Sequence, residues 1–167
     1  MLLRYFRRYA GDHAIADDLL QETLLRVERG LPDFAARSSI KTWAFSIATR
    51  VAADYFRLPE HRLQIVDIEE AGELPDESRT PPARLSTAEM NACVRQVIDT
   101  LPEDYRAALV LHDLEELSAE QTAEICECSL ATAKIRIYRA RNRLKTALQQ
   151  QCCFYRDEEN VFRCDRK

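Results

Sequence analysis

Residues 101–148 read LPEDYRAALVLHDLEELSAEQTAEICECSLATAKIRIYRARNRLKTAL, and this stretch decides the fold. Pro102 stands in the first turn of a helix, with Glu103 and Asp104 near its positive end. Ser118 and Gln121 have the spacing of a capping box, which starts a short helix over 119–126. Glu127-Cys128-Ser129 leaves room only for a tight turn. Ser129 caps a long helix to about Gln150, with Leu130, Ala133, Ile137, Ala140, Leu144 and Leu148 on its apolar face. A short helix, a turn of about three residues and a basic helix describe a DNA-binding helix-turn-helix.

Charge strengthens that reading. Ser129 to Leu148 holds six basic residues and no acidic one, although the whole chain carries −4. A local basic stripe is the footprint that matters for DNA, and net charge hides it. The outward face carries Lys134, Tyr138, Arg141 and Lys145, flanked by Arg136, Arg139 and Arg143. Thr132 and Lys134 lie in the N-terminal part, which reaches base edges; the later arginines suit phosphates. The plain alternative is a solvated basic helix in an all-helical protein.

Upstream, Thr87 opens a helix over about 88–100. Residues 58–88 differ in kind. They hold four prolines, and acids outnumber bases seven to three, as in a flexible acidic linker. Before it, Asp12 caps a helix to about Arg29, with Gly30 as its stop and Ala16, Leu19, Leu20, Thr23, Leu24 and Val27 as its stripe. Ser39 caps another, whose apolar face is Ile40, Trp43, Ala44, Ile47, Ala48, Val51, Ala52 and Tyr55. The predicted fold class is all-α: helical domains at 1–57 and 88–150, a linker at 58–87, and a tail at 151–167.

No Gly-rich phosphate loop, Ser-His-Asp set or paired carboxylates emerge, and the three histidines do not cluster, so an enzyme is not expected. No apolar run approaches the roughly 20 residues that span a bilayer. MLLRYFRRYAGD lacks the apolar core and cleavage site of a signal peptide. No membrane insertion is expected, and the cytoplasm is the default location.

The stretch 101–148 closely resembles the C-terminal domain of extracytoplasmic-function (ECF) sigma factors, the bacterial RNA polymerase subunits that recognise promoters. DDLLQETLLRVERGLPDFAARSSIKTWAFSIATRVAADYFR, residues 17–57, resembles their N-terminal domain. The resemblance implies −35 recognition by Thr132, Lys134, Arg136, Tyr138, Arg139, Arg141 and Lys145. It implies that Asp17, Asp18, Gln21 and Glu22 bind the clamp of the largest polymerase subunit. The loop from Phe34 to Ser39 matches the element that captures a flipped −10 base, with Lys41, Arg50 and Arg57 holding the strand's backbone. Trp43 is similar to the family's tryptophan, and its place on the apolar stripe assigns it to packing. The partners implied are core polymerase, promoter DNA and an anti-sigma factor, with no cofactor required. Family members carry most of another helix ahead of the position of Met1. Asn is frequent where Arg50 stands, Arg where Thr49 stands, and a polar residue where Ile135 stands. A helix-turn-helix regulator acting without polymerase docking is the alternative, and DDLLQET speaks against it.

Six cysteines are present, three in the last 16 residues. In CCFYRDEENVFRCDRK, paired apolar residues around Asp157-Glu158-Glu159-Asn160 predict a β-hairpin. A turn centred on Glu158-Glu159 would set Cys153 opposite Cys164, with Cβ atoms roughly 4.5–5.5 Å apart. Cys152, Cys153 and Cys164 are candidates for zinc or another metal, or for redox response. A tetrahedral zinc site needs a fourth donor, from Cys126 or Cys128. Packing alone is the plain reading of Cys126 and Cys93. The tail resembles in kind the Cys-rich extensions through which some family members respond to metal.

Counterion release gives the first prediction. The protein, alone or with polymerase, should bind promoter DNA with an affinity that falls steeply as salt rises, by about one unit of log–log slope per neutralised phosphate. A salt titration of fluorescence anisotropy measures it; salt-independent association contradicts the basic helix as a DNA surface.

Overall fold

A computed structural model describes residues 1–58, 87–158 and 160–166. The linker expected at 58–87 lies, but for its two end residues, outside the described residues. Helices α1 (Leu2–Ala10), α2 (His13–Gly30) and α3 (Ile40–Arg57) precede it; α4 (Thr87–Thr100), α5 (Glu103–Leu109), α6 (Ala119–Ile125) and α7 (Leu130–Gln151) follow. Strands β1 (Cys152–Arg156) and β2 (Phe162–Arg166) pair antiparallel at the end. The all-α expectation with a hairpin tail is borne out.

The N-terminal helices are set by their caps. Asp12 accepts from the Ile15 backbone N–H, and Ser39 from that of Thr42 at 3.0 Å, so each helix starts where its sequence supplies an acceptor. Gly11 closes α1 at φ 74°, a conformation that favours glycine. Gly30 is not in that conformation: its φ is −88°, and the chain runs straight into a 3₁₀ turn at Leu31–Asp33. Its lack of a side chain serves space instead, since a Cβ there would lie 3.1 Å from Cζ2 of Trp43.

Tyr5, Phe6 and Tyr9 of α1 are fully buried against α3 and α2. Phe45 meets Tyr5 edge-on at 5.4 Å, and the Tyr5 hydroxyl lies 3.0 Å from Thr49 Oγ1. The buried residues of α3 are Thr42, Phe45, Ala48, Val51, Ala52 and Ala53. This corrects the expected stripe: Ile40 is 58 % exposed, and Trp43, Ala44, Ile47 and Tyr55 are half-buried. The reason is that α3 has neighbours on more than one side, α1 and α2 as well as α5 and α6, so no single 3.6-residue stripe describes its burial. On α2, Leu24 likewise leaves the expected stripe and is exposed.

In the second set, α5 runs into a wider π-turn, Val110–Leu114, closed by Glu115 N–H donating to Val110 C=O at 2.9 Å. The capping box forms as read: Ser118 N–H donates to the Gln121 amide oxygen at 2.9 Å, and Gln121 N–H to Ser118 Oγ at 3.1 Å. Ser129 caps α7 through Thr132 N–H, and Ala133, Ile137, Ala140 and Ala147 of α7 are buried. Leu130, expected inside, is exposed.

The hairpin register is shifted by one residue from the expected one. Cys153 faces Asp165, and Cys164 faces Phe154. Asn160 is the cause: at φ 60° it adds a left-handed residue, and the loop widens to Asp157–Val161, closed by Asp157 N–H to Val161 C=O.

Truncating Phe45 to alanine should lower stability by about 3–5 kcal/mol, whereas Ile40→Ala should stay within about 0.5 kcal/mol. Urea unfolding followed by circular dichroism compares them; equal effects contradict the burial described for α3.

Candidate nucleic-acid and polymerase interface

The turn before the basic helix is built from backbone geometry. Glu127 takes φ 51°, and Cys128 N–H reaches back to Ala123 C=O at 3.0 Å, which ends α6 in one residue and redirects the chain into α7. The outward face of α7 then presents Lys134, Tyr138, Arg139, Arg141 and Lys145, all exposed. Tyr138 is 67 % exposed, and beside it Ile135 is 50 % exposed. Thr132 is half-buried, and its hydroxyl meets the Ser129 hydroxyl at 2.8 Å.

Several arginines of this helix already have partners within the protein. Arg136 donates to Asp104 at 2.5 Å, and Arg141 forks onto the Asp113 carboxylate. Arg139 touches the Tyr105 hydroxyl at 3.5 Å, and the Arg143 guanidinium lies 5.1 Å over the Tyr105 ring. The acids of α5 and the π-turn therefore orient Arg136 and Arg141. Lys134 and Lys145 are exposed, whereas Arg136 is half-buried.

On α2, Asp17, Asp18, Gln21 and Glu22 are exposed along one helix. Glu22 pairs with Arg26 at 2.7 Å, and Arg26 reaches Asp54 of α3 at 3.2 Å. Leu24 and Leu25, 51 % and 47 % exposed, join this surface. The sequence reading missed both, because it assigned Leu24 to the core and passed over Leu25. Leu25 lay outside the stripe read from the sequence, and that was the available signal.

The segment between α2 and α3 stacks Phe34 on Trp43, ring centroids 4.9 Å apart, with Ala36 at φ 52°. Trp43 packs against Phe34 and Gly30 rather than in the deep core. Lys41 is exposed and Ser38 half-buried. Arg50 and Arg57 are brought elsewhere: Arg50 pairs with Glu127 of the helix-turn-helix turn, and Arg57 lies 3.6 Å from Glu103 of α5. A cleft of about 140 Å³ between the two helical sets is lined by these pairs together with Asp104 and Arg136.

Cys152 and Cys153 of the tail lie on opposite faces of β1. Cys152 is buried and Cys153 exposed, as alternation along a strand requires. The Cys164 side chain lies outside the described residues. Among the described residues no three His, Cys, Asp or Glu side chains are grouped to hold a metal ion. Burial pushes the Cys126 thiol up to about 12. None of the described helices is long and apolar enough to cross a membrane.

An upstream helical set with an exposed acidic and apolar helix, followed by a helix-turn-helix set, defines a two-part promoter-recognition protein. Comparison with known proteins agrees: residues 1–58 match Sigma-70 region 2, and residues 91–144 match Sigma-70, region 4. The RNA polymerase sigma-H factor of Pseudomonas aeruginosa is 33 % identical over 149 residues, covering 85 % of this chain and 77 % of that protein. The sigma factor SigZ of Bacillus subtilis is 30 % identical over 152 residues, covering 91 % and 82 %. The sigma factor RpoE of Bartonella quintana, solved with the anti-sigma factor NepR, superposes with a TM-score of 0.63 at 27 % identity, covering 89 % of each chain. CnrH, solved with the cytosolic domain of CnrY, shares the fold with a TM-score of 0.65 at 21 % identity, covering 89 % and 80 %.

The chain belongs to the ECF sigma factors of RNA polymerase. It is a non-enzymatic subunit that directs polymerase to promoters, with core polymerase and promoter DNA as its partners. The region 2 match over the first helices sets aside a regulator that ignores polymerase.

Because the Cys126 thiol titrates near 12, it stays protonated and weakly nucleophilic at pH 8. Native protein treated briefly with iodoacetamide at that pH should carry label on exposed Cys153 and almost none on Cys126. Peptide mass mapping reads this; fast labelling of Cys126 would mean that the helix-turn-helix turn is open.

Proposed function

We propose that this sigma factor divides its work between the two helical sets as 1–57 and 88–150. In the first, the α2 surface docks on the clamp of the largest polymerase subunit. Asp17, Asp18, Gln21 and Glu22 supply charge and hydrogen bonds there, and Leu24 and Leu25 supply apolar contact. The observation that carries this is the pair of exposed leucines beside the acids: charged groups alone need no partner, but adjoining apolar surface gains from being covered.

Phe34, Ser38 and Lys41 contact the unpaired −10 strand. Arg50 and Arg57 join them once their pairs with Glu127 and Glu103 open, so promoter melting and separation of the two sets go together. The α7 face reads −35 duplex: Thr132 and Lys134 at base edges, Tyr138 beside them, and Arg136, Arg139, Arg141 and Lys145 toward phosphates. An anti-sigma factor holds the closed arrangement, a reading supported by the similar RpoE structure, which was solved with the anti-sigma factor NepR. The acidic segment between the sets serves as a tether. The protein works in the cytoplasm and needs no cofactor for initiation. The tail cysteines Cys152, Cys153 and Cys164 respond to a metal such as zinc or to oxidant.

In vitro transcription with core polymerase tests the division of labour. Wild-type protein should confer initiation. Asp18→Ala and Leu24→Asp should each weaken core binding roughly tenfold, a loss of about 1.4 kcal/mol. Lys134→Ala should spare core binding and weaken binding to −35 duplex. Unchanged core affinity in both α2 variants removes the clamp assignment.

A further inference from the structure

Cys93 and Cys152 form a small cluster of their own, apart from the main core, with Phe154 packed against it. Cys93 lies on α4, and Cys152 caps the C-terminus of α7 and begins β1. Their Sγ atoms are 3.7 Å apart, and the residues are 5 % and 3 % exposed. The Gln151 side-chain oxygen lies 3.8 Å from Cys93 Sγ. This pairing differs from the set suggested by the tail's sequence: the partner of Cys152 comes from the first helix of the second set.

We propose that Cys93 and Cys152 are a reversible disulfide pair, oxidised by peroxide and reduced again by a cellular dithiol. The sulfurs are already in contact, and a bond requires them to close to about 2.05 Å, a movement within reach of side-chain rotation and a small shift of the strand. In the first step the Cys152 thiol gives up its proton, the thiolate attacks one peroxide oxygen, the O–O bond breaks, and the leaving hydroxide takes up that proton as water, giving a sulfenic acid. In the second, the Cys93 thiol gives up its proton, the thiolate attacks that sulfur, the S–O bond breaks, and the leaving hydroxide takes up the proton as a second water. Two thiols and one peroxide become one disulfide and two waters. A dithiol reverses this by exchange through a mixed disulfide.

Burial slows such chemistry but does not prevent it. A two-stranded hairpin is marginally stable alone, so β1 and β2 can open locally and admit peroxide to Cys152 while the helices stay folded. Closing the bond pins the hairpin to α4 and encloses the whole helix-turn-helix, residues 101–148, in one covalent loop. In a reducing compartment such a bond is transient, which suits a signal rather than a staple.

The test uses the full chain, reduced and then exposed to hydrogen peroxide, with remaining thiols blocked by N-ethylmaleimide. Intact mass should show the loss of two hydrogens, and tryptic mapping should join the peptide of residues 85–95 to that of residues 146–156. The link should persist in Cys153→Ser, vanish in Cys93→Ser and in Cys152→Ser, and reverse with dithiothreitol. A link formed by Cys153, gain of oxygen without a link, or zinc bound in a Cys93-dependent manner would overturn the proposal. Reduced Cys93→Ser and Cys152→Ser should support transcription like wild type, which separates failure of this pair from failure of the promoter and polymerase assignments.

Discussion

A buried carboxylate joins the two halves of the molecule. The Glu115 side chain is 1 % exposed, and it meets Arg4 at 2.8 Å and Arg8 at 2.9 Å. A carboxylate out of water is costly unless it is paired and hydrogen-bonded, so both arginines of α1 are required once Glu115 is placed there. It is placed by the π-turn after α5, where one extra residue swings the chain toward α1. Beside this contact, Arg106 is buried with its guanidinium 5.5 Å from the Tyr9 ring and 5.4 Å from that of Phe56. It donates to Asp99 C=O at 2.5 Å, and burial lowers its pKa from the ordinary arginine value. Apolar packing and a cationic seam thus bring α1 and α3 onto α4, α5 and α6.

Around this seam, arginines proposed to meet nucleic acid are held in protein pairs. Arg50, Arg57, Arg136 and Arg141 each face an acid on α5, on the π-turn or at the helix-turn-helix turn. Such exposed pairs are worth about 0–1 kcal/mol each, and salt weakens them. Phosphates can therefore replace the carboxylates at small cost. The pairs orient the arginines without committing them, and they set the two helical sets against one another through weak contacts around a stronger centre.

Local signals were the most legible in the sequence. Asp12, Ser39, Ser118 and Ser129 each named a helix start, and each acts as the cap there. A cap needs only an acceptor a few residues from a free N–H, so its reading depends on nothing remote. The turn Glu127-Cys128-Ser129 and the basic face of α7 were read for the same reason. Burial was less legible. Phe45 was passed over and Ile40 overvalued, because the number of neighbours around α3 is not written in α3. The hairpin was visible but its register was not, since one left-handed residue, Asn160, shifts every pair by one.

The amino-acid sequence by itself determined the helices, their caps, the helix-turn-helix, the basic stripe and the family, all of which rest on short-range spacing and residue type. Only the tertiary structure decided which charges are already paired, that Leu24 and Leu25 are uncovered, that Gly30 makes room for Trp43, and that Cys152 meets Cys93 of a distant helix. Each of these depends on segments distant in the chain. Cys93 and Cys152 are brought to 3.7 Å by the packing of α4 on the end of α7, a long-range contact that no local spacing rule encodes.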